Sequence, residues 1–136
     1  MRRVMVFGSF DPLHDGHRSL FRQARKHGDE LVVVVARDVN IARLKGHAAR
    51  ASEQERLARV EAEPLVDTAL MGDEKDFFKN IVAQLPDVLI LGYDQTTFTD
   101  EELREKLAKR GLNPEIKRAV AFKPEENKSS KILENS

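Results

Sequence analysis

The chain has 136 residues, with 23 Lys and Arg balanced by 23 Asp and Glu, seven Phe, one Tyr and no Cys. This length suits a single domain with its own core. The missing Cys excludes disulfides and thiolate chemistry, and the zero net charge argues against broad attraction to nucleic acid or an anionic membrane. No apolar run approaches the ~20 residues of a membrane span. The start, Met1-Arg2-Arg3-Val4, leads directly into a strand pattern and lacks the apolar stretch of a signal peptide. A cytoplasmic location is therefore expected.

Short β-branched runs alternate with helical patterns. Arg3–Phe7 reads as a first strand. Asp15–His27 reads as a helix with His17, Leu20, Phe21 and Ala24 on one face, and Gly28 as its C-cap. Leu31–Ala36, with four consecutive valines, is typical of a parallel strand buried on both faces. Arg43-Leu44-Lys45-Gly46 reads as a flexible basic loop. Ser52–Ala62 is a helix with Ser52 as N-cap and Glu55 in the capping-box position. Thr68–Met71 is a short strand, Asp76–Gln84 a helix that stops before Pro86, and Val88–Leu91 a buried strand. Asp100–Arg110 is a charged helix capped by Asp100 and closed by Gly111. Glu115–Phe122 is the last strand, and Ser129–Leu133 begins a short terminal helix. This order predicts an α/β fold: one domain, 1–136, with a Rossmann-like parallel five-stranded sheet and helices on both faces. The core spans 1–122 and a polar tail 123–136.

Ligands of such sheets lie beyond the carboxyl ends of the strands. The segment Gly8-Ser9-Phe10-Asp11-Pro12-Leu13-His14-Asp15-Gly16-His17 sits at one such end and opens a helix. Gly8 allows close backbone approach to a ligand, and the helix start offers N–H groups and a positive dipole end. His14 and His17, three apart, share one side of the first turn and suit phosphate. Asp11 is the candidate ligand for Mg²⁺, which binds through one or two carboxylates plus substrate phosphates; an Asx-turn before Pro12 is its other reading. Asp38 and Asp94 lie at further strand ends, where metal, ribose or base contact competes with turn and cap roles. Lys45 supplies countercharge. Lys128-Ser129-Ser130-Lys131 forms either a phosphate cradle or an ordinary N-cap.

The Gly8–His17 segment resembles the first signature of the cytidylyltransferase-like nucleotidyltransferases. Gly28–Asp38, Lys45-Gly46, Glu53-Gln54-Glu55-Arg56 and Leu91–Phe98 narrow the resemblance to the archaeal FAD synthases. It implies that His14 and His17 are catalytic and phosphate-binding, and that Lys45 and Arg56 are basic residues near the phosphates. Ser9, Phe10 and the neighbouring backbone match the nucleotide-contacting turn. Gly92 and Asp94 match positions near the nucleotide, and Ser129 and Ser130 match hydroxyls of the second signature. Asn127 and Lys128 depart from that signature, which carries Ile and Ser there. The loop Gly46–Ala51 lacks the prolines common in this group.

The activity implied is adenylyl transfer from ATP to FMN, giving FAD and diphosphate with Mg²⁺. Alternatives are cytidylyl transfer from CTP to glycerol 3-phosphate or a similar ester, and a nucleotide-binding module without catalysis. Tyr93 and Phe98 are candidates to meet the flavin ring. The resemblance also implies a homodimer, for which Leu65, Val66 and Leu70 are interface candidates unless they belong to the core.

Overall fold

The computed structural model describes residues 2–91 and 99–118, apart from the side chains of Leu44 and Lys45. Strands β1 (Arg3–Gly8), β2 (Glu30–Val35), β3 (Thr68–Met71), β4 (Val88–Leu91) and β5 (Glu115–Arg118) alternate with helices α1 (Asp15–Arg25), α2 (Asp38–Lys45), α3 (Glu53–Glu61), α4 (Lys79–Gln84) and α5 (Asp100–Ala108). The strands form one sheet in the order β3-β2-β1-β4-β5, and all four pairings are parallel. After β3 the chain crosses back to the other side of β1. The β1/β4 junction is thus the switch point where such sheets bind ligands.

The apolar runs explain the layering. Val4, Val6, Leu31, Val33 and Val35 face a core with Phe21 and Ala24 of α1 and Val60 of α3. Met5, Val32, Val34, Leu89 and Leu91 face the opposite core, with Ile81 of α4 and Leu103 and Leu107 of α5. Alternate residues of one strand serve different layers, so the valine run is apolar throughout. Leu65 and Val66 pack against the first core and Leu70 against the second. All three are partly buried within the domain.

Several boundaries differ from those expected. The supposed loop around Lys45 is helix α2, closed by Gly46 in the left-handed conformation at φ 77°. Helix α1 ends at Arg25 with Lys26 as C-cap, so Gly28 is not a cap. A Cβ on Gly28 would lie 2.6 Å from the Arg2 carbonyl oxygen, which gives that glycine a packing role. Helix α5 takes Thr99 as N-cap, in a reciprocal box with Glu102, and Asp100 is its first helical residue. Helix α4 starts at Lys79 because the Asp73 and Asp76 carboxylates accept backbone N–H groups within 73–78 and hold a turn there. Residues 119–122 of the last strand, and the terminal helix expected at Ser129–Leu133, lie outside the described residues.

Candidate active site at the carboxyl edge

The turn from Gly8 to His14 joins β1, the central strand, to α1. His14 is the N-cap of α1, and its Nδ1 accepts the Gly16 N–H at 3.0 Å. His17 Nδ1 accepts the His14 N–H at 3.2 Å. The two histidines therefore form a capping box, with imidazoles where Ser and Glu usually stand. Their rings stack at 3.9 Å between centroids. An Nδ1 that accepts carries no proton, so each neutral ring bears its hydrogen on Nε2 and is a donor there. Burial holds the His14 imidazole below its ordinary value of 6.5, against a smaller opposing pull from Asp15. The neutral form is the native one.

Phe10 has a φ of 54°, in the left-handed region that a bulky side chain rarely occupies. Its ring is wholly buried, packs edge-on to His17 at 4.8 Å and lies 5.7 Å from Phe21. Phe10 thus offers a ligand only its backbone. Gly8 is not held open for a ligand either: a Cβ there would lie 2.7 Å from the tip of the Phe10 ring. Ser9 is also buried.

Arg56 has no exposed surface. Its Nε donates to the Ala51 carbonyl at 3.1 Å, one terminal nitrogen donates to the Ser9 and Ala36 carbonyls at 3.0 and 2.7 Å, and the other donates to Asp38 Oδ1 at 2.6 Å. The expected phosphate-facing cation is instead a buried tie between the ends of β1 and β2 and the start of α3. Asp38 takes the cap role rather than a ligand role, since its Oδ2 accepts the Glu53 N–H at 3.2 Å. Glu53 replies by accepting the Asp38 N–H at 2.9 Å and pairing with Arg37 at 3.2 Å. Arg37 also donates to the Gly72 carbonyl at 2.7 Å. Arg37 and Glu53 lie in segments that carry the family resemblance, but the sequence assigned neither of them a role.

Asp11 accepts the Arg50 N–H at 2.6 Å and the Ala51 N–H at 3.1 Å. Its carboxylate therefore anchors the α2–α3 connection, and neither oxygen is without a protein donor. Among the described residues no cluster of three or more His, Asp or Glu could cage a cation. Lys45 is the last residue of α2. Gly92, Tyr93, Asp94, Phe98, Ser129 and Ser130 lie outside the described residues. Among the described residues no helix is long and apolar enough to cross a membrane.

The cytidylyltransferase-like family model matches residues 5–135. A FAD synthase of Methanosarcina barkeri is 47% identical over 120 residues, covering 87% of this chain and 83% of the relative. A FAD synthase of Ferroglobus placidus is 45% identical over 135 residues, covering 98% and 87%. Among solved structures, a lipopolysaccharide core biosynthesis protein from Thermoplasma volcanium superposes with a TM-score of 0.85 at 43% identity, covering 90% of this chain and 98% of that one. With its parallel sheet, its switch point and its two-histidine turn accounted for, the chain belongs to the cytidylyltransferase-like family.

Proposed function

We infer that this protein transfers the adenylyl group of ATP to FMN, releasing diphosphate and forming FAD. The observation that carries this is the identity of 47% across 87% of the chain with a FAD synthase. The site supplies what the reaction needs. A phosphate oxygen of FMN forms the new bond to the α-phosphorus while the bond to the β-phosphate bridging oxygen breaks. The FMN phosphate is already ionised near neutrality, so no general base is required. Catalysis then rests on alignment and on stabilising charge as diphosphate leaves.

In this reading His14 and His17 are the catalytic pair at the positive end of α1, donating from Nε2 to phosphate oxygens, and the His17 Nε2 is buried until the ligand enters. Lys45 supplies countercharge to the phosphates. The Ser9–Phe10 backbone borders the triphosphate, and Gly92, Asp94, Ser129 and Ser130 complete the nucleotide contacts. Arg56 acts through the Ser9 carbonyl it holds rather than by touching phosphate. A divalent cation would be held by substrate phosphates with Asp11 as its candidate carboxylate, and would offset the charge of the leaving diphosphate. The cytoplasm, where both substrates are available, is the proposed location, and a homodimer the proposed assembly.

The test is a diphosphate-release and product assay of ATP and CTP, each offered with FMN and with glycerol 3-phosphate. FAD formed from ATP and FMN is the expected result. Product only from CTP and glycerol 3-phosphate would replace the reading with the cytidylyl one.

A further inference from the structure

We propose that Phe10 is the positioning residue of the histidine pair, and that Gly8 is glycine to make room for the Phe10 ring rather than for a ligand. The proposal rests on the catalytic roles of His14 and His17 put forward above. Three observations converge on it. The ring is fully buried between Phe21 and His17, so it has no second seat. Its backbone sits at φ 54°, a conformation a bulky side chain holds only when its surroundings fix it. A Cβ on Gly8 would penetrate the ring to 2.7 Å at its tip, with both flanking ring carbons within 3.1 Å.

The consequence runs along a line of rings. Phe10 presses edge-on against His17, and His17 stacks on His14 at 3.9 Å. Both imidazoles are also held at Nδ1 by backbone N–H groups. The hydrogen bonds set which nitrogen carries the proton. The Phe10 ring limits the tilt of His17, and through the stack that of His14. Each Nε2–H is thereby aimed before substrate arrives. A misplacement of about 1 Å in such a donor can cost ~10²-fold in rate.

A double-mutant cycle tests this. Gly8→Ala should lower kcat for FAD formation by about 10²-fold with a smaller change in the KM for ATP. Phe10→Leu should also lower kcat, because the smaller side chain leaves His17 unsupported. Combined, the two should lose less than the product of the single losses, since the leucine makes room for the new methyl group. Nitrogen NMR of the imidazoles gives a readout independent of turnover: both rings are Nε2–H tautomers in the parent protein and should lose that uniformity in each single variant. Multiplicative losses would overturn the proposal, as would a Gly8→Ala variant that raises only the KM for ATP. If Gly8→Ala does not fold, Phe10→Leu alone decides: unchanged kcat and an unchanged histidine spectrum would refute it. A parent protein whose histidines are locked as described, yet whose His17→Ala variant turns over normally, would refute the catalytic assignment and leave the lock intact.

Discussion

At the amino-terminal edge of the sheet, Leu85, Pro86, Leu112 and Pro114 line a shallow depression of about 440 Å³ beside Arg2, Asp87 and Glu115. At the carboxyl edge, the turn between Gly8 and His17 packs the Phe10 ring against His17 and the buried Arg56 guanidinium against the Ser9 carbonyl. The amino edge uses its carboxylates to finish strands: Asp87 accepts the Arg3 N–H at 2.8 Å, Asp29 the Arg2 N–H at 3.0 Å, and Asp67 the Leu31 N–H at 2.7 Å. Its ion pair between Arg2 and Glu115 is solvent-exposed on both sides. The carboxyl edge instead uses buried groups to fix the orientation of the His14 and His17 rings, and such oriented groups mark it as the place for chemistry.

The comparison is broken most severely at Arg56. Arg56→Met removes the donors to three carbonyls and to Asp38; the guanidinium is wholly buried, whereas the Asp38 carboxylate is about half exposed. It should cost about 3 kcal/mol of stability, at ~1–3 kcal/mol for each buried acceptor left without a donor. Urea unfolding measures this. A loss under about 1 kcal/mol would mean that the Ser9, Ala36 and Ala51 carbonyls find other partners. Next is His17→Ala, which should reduce kcat by about 10²–10³, as for loss of one transition-state donor. Unchanged turnover would remove His17 from the chemistry.

The pH dependence is smaller. The native His14 favours the neutral ring, so between its lowered native value and 6.5 the unfolded chain binds more protons. This contribution to stability is complete above about 6.5 and is lost as the pH falls through the native value of His14. Protonation also ends acceptance of the Gly16 N–H. Stability and activity should therefore both decline on acidification below 6.5, and His14→Asn, which does not titrate, should flatten that limb of the unfolding curve. The smallest effect belongs to the amino edge: Arg2→Ala should leave FAD formation unchanged within error. A substantial loss of activity there would show that the two ends of the sheet are coupled.

Much of the fold was legible because β1, β2 and β4 are short runs with apolar residues on both faces. β3 and β4 fall at Thr68–Met71 and Val88–Leu91, where turn residues bracket each run. Helix α2 was not legible. Its eight residues carry little apolar periodicity, and a basic pair before glycine looks the same in a loop as in a last helical turn. The location of the site followed from a strand, a glycine turn and two histidines in sequence. The division of labour within it did not. Whether a guanidinium faces phosphate or carbonyls depends on acceptors contributed by Ser9, Ala36 and Asp38, which are 47, 20 and 18 positions from Arg56. Gly8 likewise looks the same in sequence whether a ligand or a phenylalanine ring needs its space.

The anchoring of Arg50 and Ala51 by Asp11 has a kinetic side. Together with the Gly46 cap, it leaves only Gly46–Ala49 as chain between two fixed ends, a segment that can span at most about 14 Å when extended. So short a tether cannot swing as an independent flap. Any movement of this connection over a bound nucleotide must carry the Asp11 turn with it. The amides of Arg50 and Ala51 should then exchange with solvent only when that turn opens, so slow-exchanging amides at these two positions would report on the catalytic edge.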